Sequence, residues 1–238
     1  MTSTTVPVIF DLDGTLVDPN GGITDGIAAA LREFGLPVPP QELLDAMVGP
    51  KLSDSLLTVA AVPPAMLENV IRSYRMRYLD TGIAQSRLYP GILELLDSFA
   101  AEGRPVAVAT QKPENLAPLV LQHHKILDRF VSVQGSAVNE AAPAAGRVGK
   151  TGIIAAAMAD LRTQHAMMVG DRAQDVAGAI ANGIDCIGVR WGFAPDGELE
   201  DAGAVAVVDD APALRTTVEQ LESVRTAALS EVRNDGTV

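Results

Sequence analysis

The stretch that most constrains the fold is residues 6–18, VPVIFDLDGTLVD, an apolar run that ends in two carboxylates. The run 6–10 predicts a strand covered on both faces, as the central strands of parallel sheets are. Asp11 and Asp13 then fall at its carboxyl end, where open α/β sheets bind ligands. Gly14 permits a positive φ, so the chain can turn sharply and bring backbone amides close to an anion. The alternative is an ordinary turn, because Asp and Gly dominate turns for local reasons.

The octet DLDGTLVD at residues 11–18 resembles the first motif of the haloacid dehalogenase-like phosphohydrolases, an apolar strand followed by D-x-D-G-T-L/V-x-D. The resemblance implies a carboxylate nucleophile at Asp11, an acid/base at Asp13 and a divalent metal, usually Mg²⁺. The chemistry agrees, because hydrolysis of a phosphate monoester needs rate enhancements of up to ~10²¹. A carboxylate can attack phosphorus and form an aspartyl-phosphate. A second, protonated carboxyl can protonate the leaving oxygen and later accept a proton from the attacking water.

A second pair of carboxylates follows an apolar stretch at residues 166–170. Asp171 and Asp175 belong to G-D-R-A-Q-D, which matches the family's fourth motif, G-D-x-x-x-D. Mg²⁺ takes oxygen ligands, so a few acids that converge from different strand ends can hold it. The resemblance implies a magnesium site with the ligands Asp11, Asp13 (through its carbonyl oxygen), Asp171 and Asp175. Asp175 would also suit the first turn of a helix, where a negative charge is favourable.

Thr110 and Lys150 hold the positions of the family's second and third motifs. Thr110 ends a strand predicted at 105–110, where its hydroxyl can reach a phosphoryl oxygen beside a helix predicted to start at Gln111. Taken alone, Thr110 would equally suit a helix cap. Lys150 follows a strand predicted at 130–135, and the resemblance implies that its ammonium pairs with the nucleophile and with a phosphoryl oxygen.

Two alternatives concern the neighbourhood of Lys150. A lone lysine is usually a solvated surface charge, and Arg147 is a second basic candidate for the same role. Residues 149–151, GKT, also invite comparison with a phosphate-binding P-loop. That pattern needs glycine at position 144, where Ala144 stands, so the P-loop interpretation fails.

Residues 21–87 are predicted to form successive helices interrupted by glycine and proline, with no strong strand. Such an insert resembles the helical cap of the family, although it could also be a subdomain that only adds core. The predicted fold is a doubly wound, mostly parallel α/β sheet, in which residues 1–19 and 88–238 form a Rossmann-like core domain. Residues 20–87 are predicted to form an inserted all-helical cap domain, and covering a phosphate site from water is a physical reason for such a lid.

Three residues are candidate substrate contacts, namely Gly14, Gln111 and Lys51. Lys51 lies in G-P-K-L, which resembles the G-P-P-L loop of phosphoglycolate phosphatase-like and 5'-nucleotidase-like members. A lysine there would suit a carboxylate, whereas aromatic residues, which stack on bases, are only 4% of the chain. These points favour phosphoglycolate over a nucleoside 5'-monophosphate. The G-S…R-x-x-K pattern of residues 135–150 favours the nucleotide.

Composition argues against several other classes. The net charge of −12 argues against a nucleic-acid binder, because affinity for the phosphate backbone comes from Lys and Arg. No run approaches the ~18 apolar residues of a membrane span. The amino terminus lacks the positive region of a signal peptide, so a cytoplasmic location is expected. The single Cys186 excludes an internal disulfide and a cysteine-built zinc site.

The predicted function is a Mg²⁺-dependent, phosphoglycolate phosphatase-like hydrolase of small phosphomonoesters, with a 5'-nucleotidase as the alternative. A halocarboxylate dehalogenase is disfavoured, since its reaction has no alkoxide for Asp13 to protonate. Further alternatives are a β-phosphoglucomutase-like isomerase, a phosphoprotein phosphatase and a non-catalytic regulator that only binds phosphate. The expected partner is a small phosphorylated metabolite, bound by a monomer or a homodimer.

Overall fold

The computed structural model describes residues 5–138 and 149–235, with side chains up to residue 225. In chain order its strands are β1 (Val8–Phe10), β2 (Val17–Asp18), β3 (Arg87–Leu88), β4 (Val106–Pro113), β5 (Ser132–Ser136), β6 (Met167–Gly170), β7 (Asp185–Val189) and β8 (Ala206–Val208). Six of them form one sheet in the order β5-β4-β1-β6-β7-β8, and every neighbouring pair is parallel. The predicted parallel α/β sheet is confirmed.

Helices surround this sheet and fill the insert. They are α1 (Thr24–Glu33), α2 (Gln41–Asp45), α3 (Leu52–Thr58), α4 (Pro64–Arg77), α5 (Ile83–Gln85), α6 (Ile92–Ala101), α7 (Ala117–His123), α8 (Gly149–Asp160), α9 (Ala173–Ala181), α10 (Glu198–Asp201) and α11 (Ala211–Asp235). A π-helical turn, Tyr78–Gly82, and a 3₁₀ turn, Leu127–Arg129, complete the described helical structure. Within the described ranges, none of these helices is long and apolar enough to cross a membrane.

Strand β1 is buried on both faces, which is why its sequence is continuously apolar. Val8 and Phe10 belong to one hydrophobic cluster and Ile9 to a second, and all three are fully buried. Phe10 packs against Phe99 of α6 with ring centroids 6.4 Å apart, while Ile153 of α8 lies in the second cluster. Because β4 and β6 flank β1 in parallel, the residues that follow these three strands meet at one edge of the sheet.

The helices α1–α5 and the π-helical turn form the insert, which we call the cap. It lies between β2 and β3, and these two short strands pair in antiparallel fashion, with Val17 opposite Leu88. The cap has buried side chains of its own, including Ile27, Leu56 and Tyr74. The antiparallel pair therefore ties together the two chain crossings between the sheet and the cap. The division into two domains at these crossings remains a prediction.

Strand β4 departs from the sequence prediction, and the predicted helix start at Gln111 is wrong. Pairing with β5 continues past a register shift to Pro113, which lies opposite Ser136. Proline has no N–H to donate, and it is tolerated here because it stands at the end of the strand beside an irregularity. Lys112 is therefore part of an extended segment, and it lines the same cleft as Thr110.

The last part of the cap, within the stretch predicted as successive helices, includes a helix of another type. Helix α4 passes through the π-helical turn Tyr78–Gly82 into α5. Turns of this type are rare and frequently occur at functional sites. A Cβ atom on Gly22 would lie 2.5 Å from the carbonyl oxygen of Gly82, so the first and last segments of the cap touch backbone to backbone.

The carboxyl-terminal helix is held to the sheet by one buried arginine. The Arg104 guanidinium donates to the Val6 carbonyl at 2.7 Å and pairs with Glu222 of α11 at 2.9 Å. It also lies over the Phe99 ring, 5.1 Å from the centroid. Only 1% of the Arg104 side chain is exposed, against 21% of Glu222, so the guanidinium of this ion pair is shielded from water.

We expect Arg104→Met to lower the free energy of unfolding by about 2 kcal/mol or more, because Glu222 and the Val6 carbonyl would lose a buried partner. Urea unfolding followed by circular dichroism measures the change. The matched control is Arg190→Met, since Arg190 forms ion pairs with Glu200 and Asp209 but is 49% exposed. That variant should unfold almost as the wild type does. Equal losses in both variants would contradict the assigned role of Arg104.

Candidate active site

The predicted site residues meet at the carboxyl edge of the sheet. Asp11 and Asp13 follow β1, Thr110 lies in β4 and Asp171 follows β6. Helices supply the remaining two, Lys150 from the start of α8 and Asp175 from α9. The buried polar residues of the chain include Asp11, Asp13, Thr110, Lys150, Asp171 and Asp175. Buried charges require partners, and each of these carboxylates contacts a group described below.

Lys150 lies between two carboxylates. Its Nζ is 2.7 Å from Asp11 Oδ1 and 2.6 Å from Asp175 Oδ1, and only 4% of its side chain is exposed. Burial alone would lower the pKa of Lys150, but the charges of Asp11 and Asp175 outweigh it and raise that pKa. The ammonium therefore stays charged, and the interpretation of Lys150 as a solvated surface charge is wrong. Arg147, the alternative basic residue, lies outside the described residues.

Asp11 and Asp175 also belong, with Asp171, to a group of three carboxylates. Ligand oxygens of Asp11, Asp171 and Asp175 lie within 4.8 Å of one another. Asp171 is held in place by hydrogen bonds from Thr15 Oγ1 at 3.1 Å and from the Phe193 amide at 2.9 Å. Burial, followed by the charges of Asp11 and Asp175, raises the pKa of Asp171 well above its ordinary value. Oxygen donors that repel one another in this way fit a small divalent cation such as Mg²⁺.

Asp175 contacts both the start of α9 and the buried ammonium of Lys150. Its Oδ2 accepts a hydrogen bond from the Arg172 amide at 3.0 Å, which caps the first turn of α9. Its Oδ1 pairs with Lys150. Burial raises the pKa of Asp175 to about 6, although Lys150 opposes that shift. The carboxylate thus supports both the helix and the buried ammonium, while its contribution to a metal site remains a prediction.

Gly14 shapes the site through packing. Its φ is +89°, and a Cβ atom there would overlap the Asp171 carboxylate. Its amide donates to the Val17 carbonyl at 2.8 Å, so that donor closes the turn after β1. Glycine is therefore required here both for the left-handed backbone and for the approach of Asp171. A direct contact between Gly14 and substrate remains a prediction.

Asp13 is held by a lysine of strand β4. Its Oδ2 accepts a hydrogen bond from Lys112 Nζ at 2.6 Å, and its Oδ1 is buried with no hydrogen-bond partner among the described residues. Burial raises the pKa of Asp13, while the charge and hydrogen bond of Lys112 oppose the increase. A carboxyl with a raised pKa is suited to give and take a proton.

A cleft lies between the sheet edge and the cap, with an empty volume of about 570 Å³ including its open mouth. Its core side includes Asp11, Asp13, Thr110, Gln111 and Lys112, and its cap side includes Met47, Val48, Leu52, Tyr74 and Arg75. Cap and core are linked at this cleft, because Gln111 Nε2 donates to the Gly49 carbonyl at 3.3 Å. Because that volume includes open solvent, the lining residues and not the volume indicate what the cleft could bind.

Lys51 is not among the described residues that line the cleft, although Pro50 and Leu52 on either side of it are. The cations that line the cleft are Arg75 from the cap and Lys112 from β4. A substrate contact by Lys51 therefore remains a prediction without support from the shape of the cleft.

Sequence reasoning missed four residues around the site. Lys112 contacts Asp13, the Tyr78 ring covers Lys112, Thr15 holds Asp171, and Arg172 joins core to cap. Arg172 Nη1 donates to the Val48 carbonyl at 2.9 Å. The sequence T-Q-K-P could have indicated Lys112, because a lysine two residues beyond Thr110 lies on the same face of the strand if the strand continues.

Known proteins resemble the chain in both sequence and fold. Residues 8–189 match a family model described as haloacid dehalogenase-like hydrolase. A 5'-nucleotidase from Pseudomonas aeruginosa is 33% identical over 214 residues, 89% of this chain and 95% of that protein. A phosphoglycolate phosphatase from Rhodospirillum rubrum is 30% identical over 219 residues, 85% of this chain and 86% of that protein.

Two further similarities involve proteins with other descriptions. Tyrosine-protein kinase PtkA from Mycobacterium tuberculosis is 38% identical over 188 residues, which cover 78% of this chain but only 62% of that protein. The crystal structure of a predicted phosphatase from Clostridium acetobutylicum superimposes with a TM-score of 0.83 and 32% identity, covering 92% of this chain and 100% of that one.

These matches cover the sheet, the cap and the four motif positions together. The chain therefore belongs to the haloacid dehalogenase-like hydrolase family. Within that family it is an enzyme of the phosphatase type.

Proposed function

We propose that this protein hydrolyses small phosphomonoesters through an aspartyl-phosphate on Asp11, with Mg²⁺ as cofactor. The observation that carries the proposal is the arrangement at one end of the cleft. Asp11 and Asp13 both line it, Asp11 is paired with a buried ammonium, and Asp13 is held by Lys112 through one oxygen only. A nucleophile and an acid/base side by side are what covalent phosphoryl transfer requires.

The carboxylate group supports the metal requirement. Asp11, Asp171 and Asp175, with the Asp13 carbonyl, would hold the ion. When bound, Mg²⁺ supplies positive charge that offsets the repulsion between these carboxylates and a dianionic phosphate. This role is consistent with the raised pKa values of Asp171 and Asp175 in the metal-free protein.

The chain's own residues account for each chemical step. The Asp11 carboxylate forms a bond to phosphorus while the bond from phosphorus to the ester oxygen breaks, and that oxygen takes its proton from Asp13. Asp13 then accepts a proton from a water molecule, whose oxygen attacks the aspartyl-phosphate. Inorganic phosphate leaves and Asp11 is restored. Thr110 and Lys150 hold phosphoryl oxygens during both steps, so their effect is on charge and position.

The cleft favours a nucleoside monophosphate over phosphoglycolate as the substrate. Lys51, which favours phosphoglycolate in the sequence, is not among the described residues lining the cleft. The lining instead includes the Tyr74 ring with Met47 and Leu52. An aromatic and apolar wall suits a base, which can stack on it, whereas glycolate offers no apolar part. The 5'-nucleotidase relative supports the same direction.

A substrate panel with Mg²⁺ tests the proposal. We expect turnover of p-nitrophenyl phosphate and a higher kcat/KM for nucleoside 5'-monophosphates than for phosphoglycolate. Tyr74→Leu should raise KM for nucleotides by about 5- to 100-fold, because stacking on a ring contributes about 1–3 kcal/mol per base. Its KM for phosphoglycolate should stay near the wild-type value.

The outcomes of this panel separate the alternatives. Phosphate binding without any turnover would indicate the non-catalytic regulator. Phosphoglycolate as the best substrate, with nucleotide KM unchanged in Tyr74→Leu, would contradict the nucleotide assignment but leave the phosphatase intact. Thermal unfolding of the variant controls for its effect on the cap, since Tyr74 is itself buried there.

A further inference from the structure

Lys112 is enclosed between the core and the cap. On one side its Nζ lies 2.6 Å from Asp13 Oδ2. On the other side the same atom lies 4.4 Å from the centroid of the Tyr78 ring. Only 5% of the Lys112 side chain is exposed. A desolvated ammonium over an aromatic face is a favourable contact, stronger than the same pair would be in water.

This ion pair fixes the orientation of the Asp13 carboxyl. Lys112 holds Oδ2, while Oδ1 is buried and makes no hydrogen bond within the described residues. Asp13 lines the cleft, so Lys112 determines how the carboxyl is turned beside the place where substrate would bind. A carboxyl that must first donate and then accept a proton works best when its orientation toward the reacting atoms is held.

The ring that covers Lys112 belongs to the cap. Tyr78 opens the π-helical turn at the end of α4, close to the point where Gly22 and Gly82 touch. It stacks on Tyr74 with centroids 5.8 Å apart, and Tyr74 lines the cleft. The aromatic pair thus extends from the wall of the substrate cleft to the ammonium that holds Asp13.

We propose that Lys112 is a positioning residue for Asp13 and that Tyr78 supports it from the cap, so that Asp13 is correctly aimed only when the cap covers the cleft. The proposal rests on the proposed phosphatase function. In each half-reaction the proton moves between the Asp13 carboxyl and the substrate oxygen or water, while Lys112 only holds Asp13 Oδ2. Lys112 therefore contributes to both halves of the reaction without taking part in bond making.

The test of Lys112 uses Lys112→Met, which keeps the length of the side chain and removes its charge. On alkyl phosphates we expect kcat to fall about 10- to 100-fold, a part of the ~10²–10⁴ that an acid/base contributes, with little change in KM. The choice of leaving group distinguishes a loss of Asp13 orientation from a general loss of activity. p-Nitrophenolate needs no proton to leave, so rapid mixing should still show a burst of p-nitrophenol followed by slow turnover. An alkyl phosphate should show no burst, because its first step needs the acid.

Two further variants test the contribution of the cap. Tyr78→Leu removes the ring and should reproduce the same pattern more weakly. Tyr78→Phe keeps the ring and should recover most of the activity lost in Tyr78→Leu, since the Tyr78 hydroxyl is buried without a hydrogen-bond partner among the described residues. The matched control for the lysine is Lys125→Met, because Lys125 is exposed outside the cleft and its loss should leave both phases unchanged. Melting temperatures show whether each variant is folded.

The outcomes distinguish this proposal from the function on which it rests. If the wild type turns over substrate and Lys112→Met does so at the same rate on alkyl phosphates, the positioning role is overturned and the phosphatase remains. An equal loss in both phases and for both leaving groups would also overturn it. A crystal structure of Lys112→Met in which Asp13 keeps its orientation would contradict the proposal independently of activity. A wild type without phosphatase activity would remove both conclusions.

Discussion

Asp11→Asn is expected to abolish phosphate release, with a loss of about 10⁴-fold or more in kcat, because the variant has no nucleophile to form the aspartyl-phosphate. An amide has the shape of the carboxylate, and Lys150 would keep its second partner, Asp175. The fold should therefore be retained. Steady-state hydrolysis of p-nitrophenyl phosphate with Mg²⁺ measures the loss. A residual rate above about a hundredth of the wild-type rate would rule out covalent catalysis at Asp11, because the loss of an acid/base group alone could account for so small a decrease.

A control variant and a trapped intermediate test whether the loss of activity is specific to Asp11. Asp128→Asn removes an exposed carboxylate and should leave the rate unchanged. Rapid quenching of the wild type with ³²P-labelled substrate should yield a labelled protein that hydroxylamine cleaves, as expected of an acyl phosphate. The label should lie on the peptide that contains Asp11 and be absent from Asp11→Asn. Label on another residue would show that a different group is phosphorylated.

The sequence predicts the core of this site well because strand ends in a parallel sheet converge. A continuous apolar run before Asp11 predicts a central strand, and its neighbours β4 and β6 then bring Thr110 and Asp171 to the same edge. These predictions need only local composition and one topological rule. Lys150 was predicted from its motif position, and its pairing with Asp11 follows from the same convergence.

The remaining features depend on contacts that no local pattern encodes. Pro113 and its neighbours favour a helix start in isolation, but pairing with β5 extends β4 through them. That extension places Lys112 against Asp13. The π-helical turn that begins at Tyr78 ends at Gly82, whose backbone lies close to that of Gly22 far away in sequence. In β4, tertiary pairing overrode local propensity.

At Lys51 a motif predicted a substrate contact, but the shape of the cleft does not support that contact. The loop Gly49–Leu52 does reach the cleft through Pro50 and Leu52. Which side chain of a loop faces inward depends on its backbone path, and sequence resemblance does not determine that path. The Val48 and Gly49 carbonyls, held by Arg172 and Gln111, fix this loop.

Mg²⁺ is expected to be required for activity and to stabilise the folded protein. EDTA should abolish hydrolysis and Mg²⁺ should restore it, because the ion offsets the charges of Asp11, Asp171 and Asp175. At a hundredfold excess over Kd, binding adds about 2.7 kcal/mol to the free energy of unfolding. In a chain of this size that raises Tm by about 5–10 °C. Full activity in excess chelator, or a Tm unchanged by Mg²⁺, would contradict the metal site.

The matched variant is Asp171→Asn, and the direction in which its stability differs from that of the wild type follows from the pKa of Asp171. Burial raises the pKa of Asp171 above its ordinary value, so the metal-free folded protein binds a proton there more tightly than the unfolded chain does. The contribution of Asp171 to the free energy of unfolding is fully present below its pKa in the unfolded chain. That contribution is lost as the pH rises through the pKa of Asp171 in the folded protein. At neutral pH without metal, Asp171→Asn should therefore melt above the wild type, and this difference should shrink as the pH is lowered toward 5. With Mg²⁺ the order should reverse, since only the wild type binds the ion well. Calorimetry of both proteins, with and without Mg²⁺, measures these differences in melting temperature. A wild type that melts above Asp171→Asn in EDTA at neutral pH would show that these carboxylates do not repel one another.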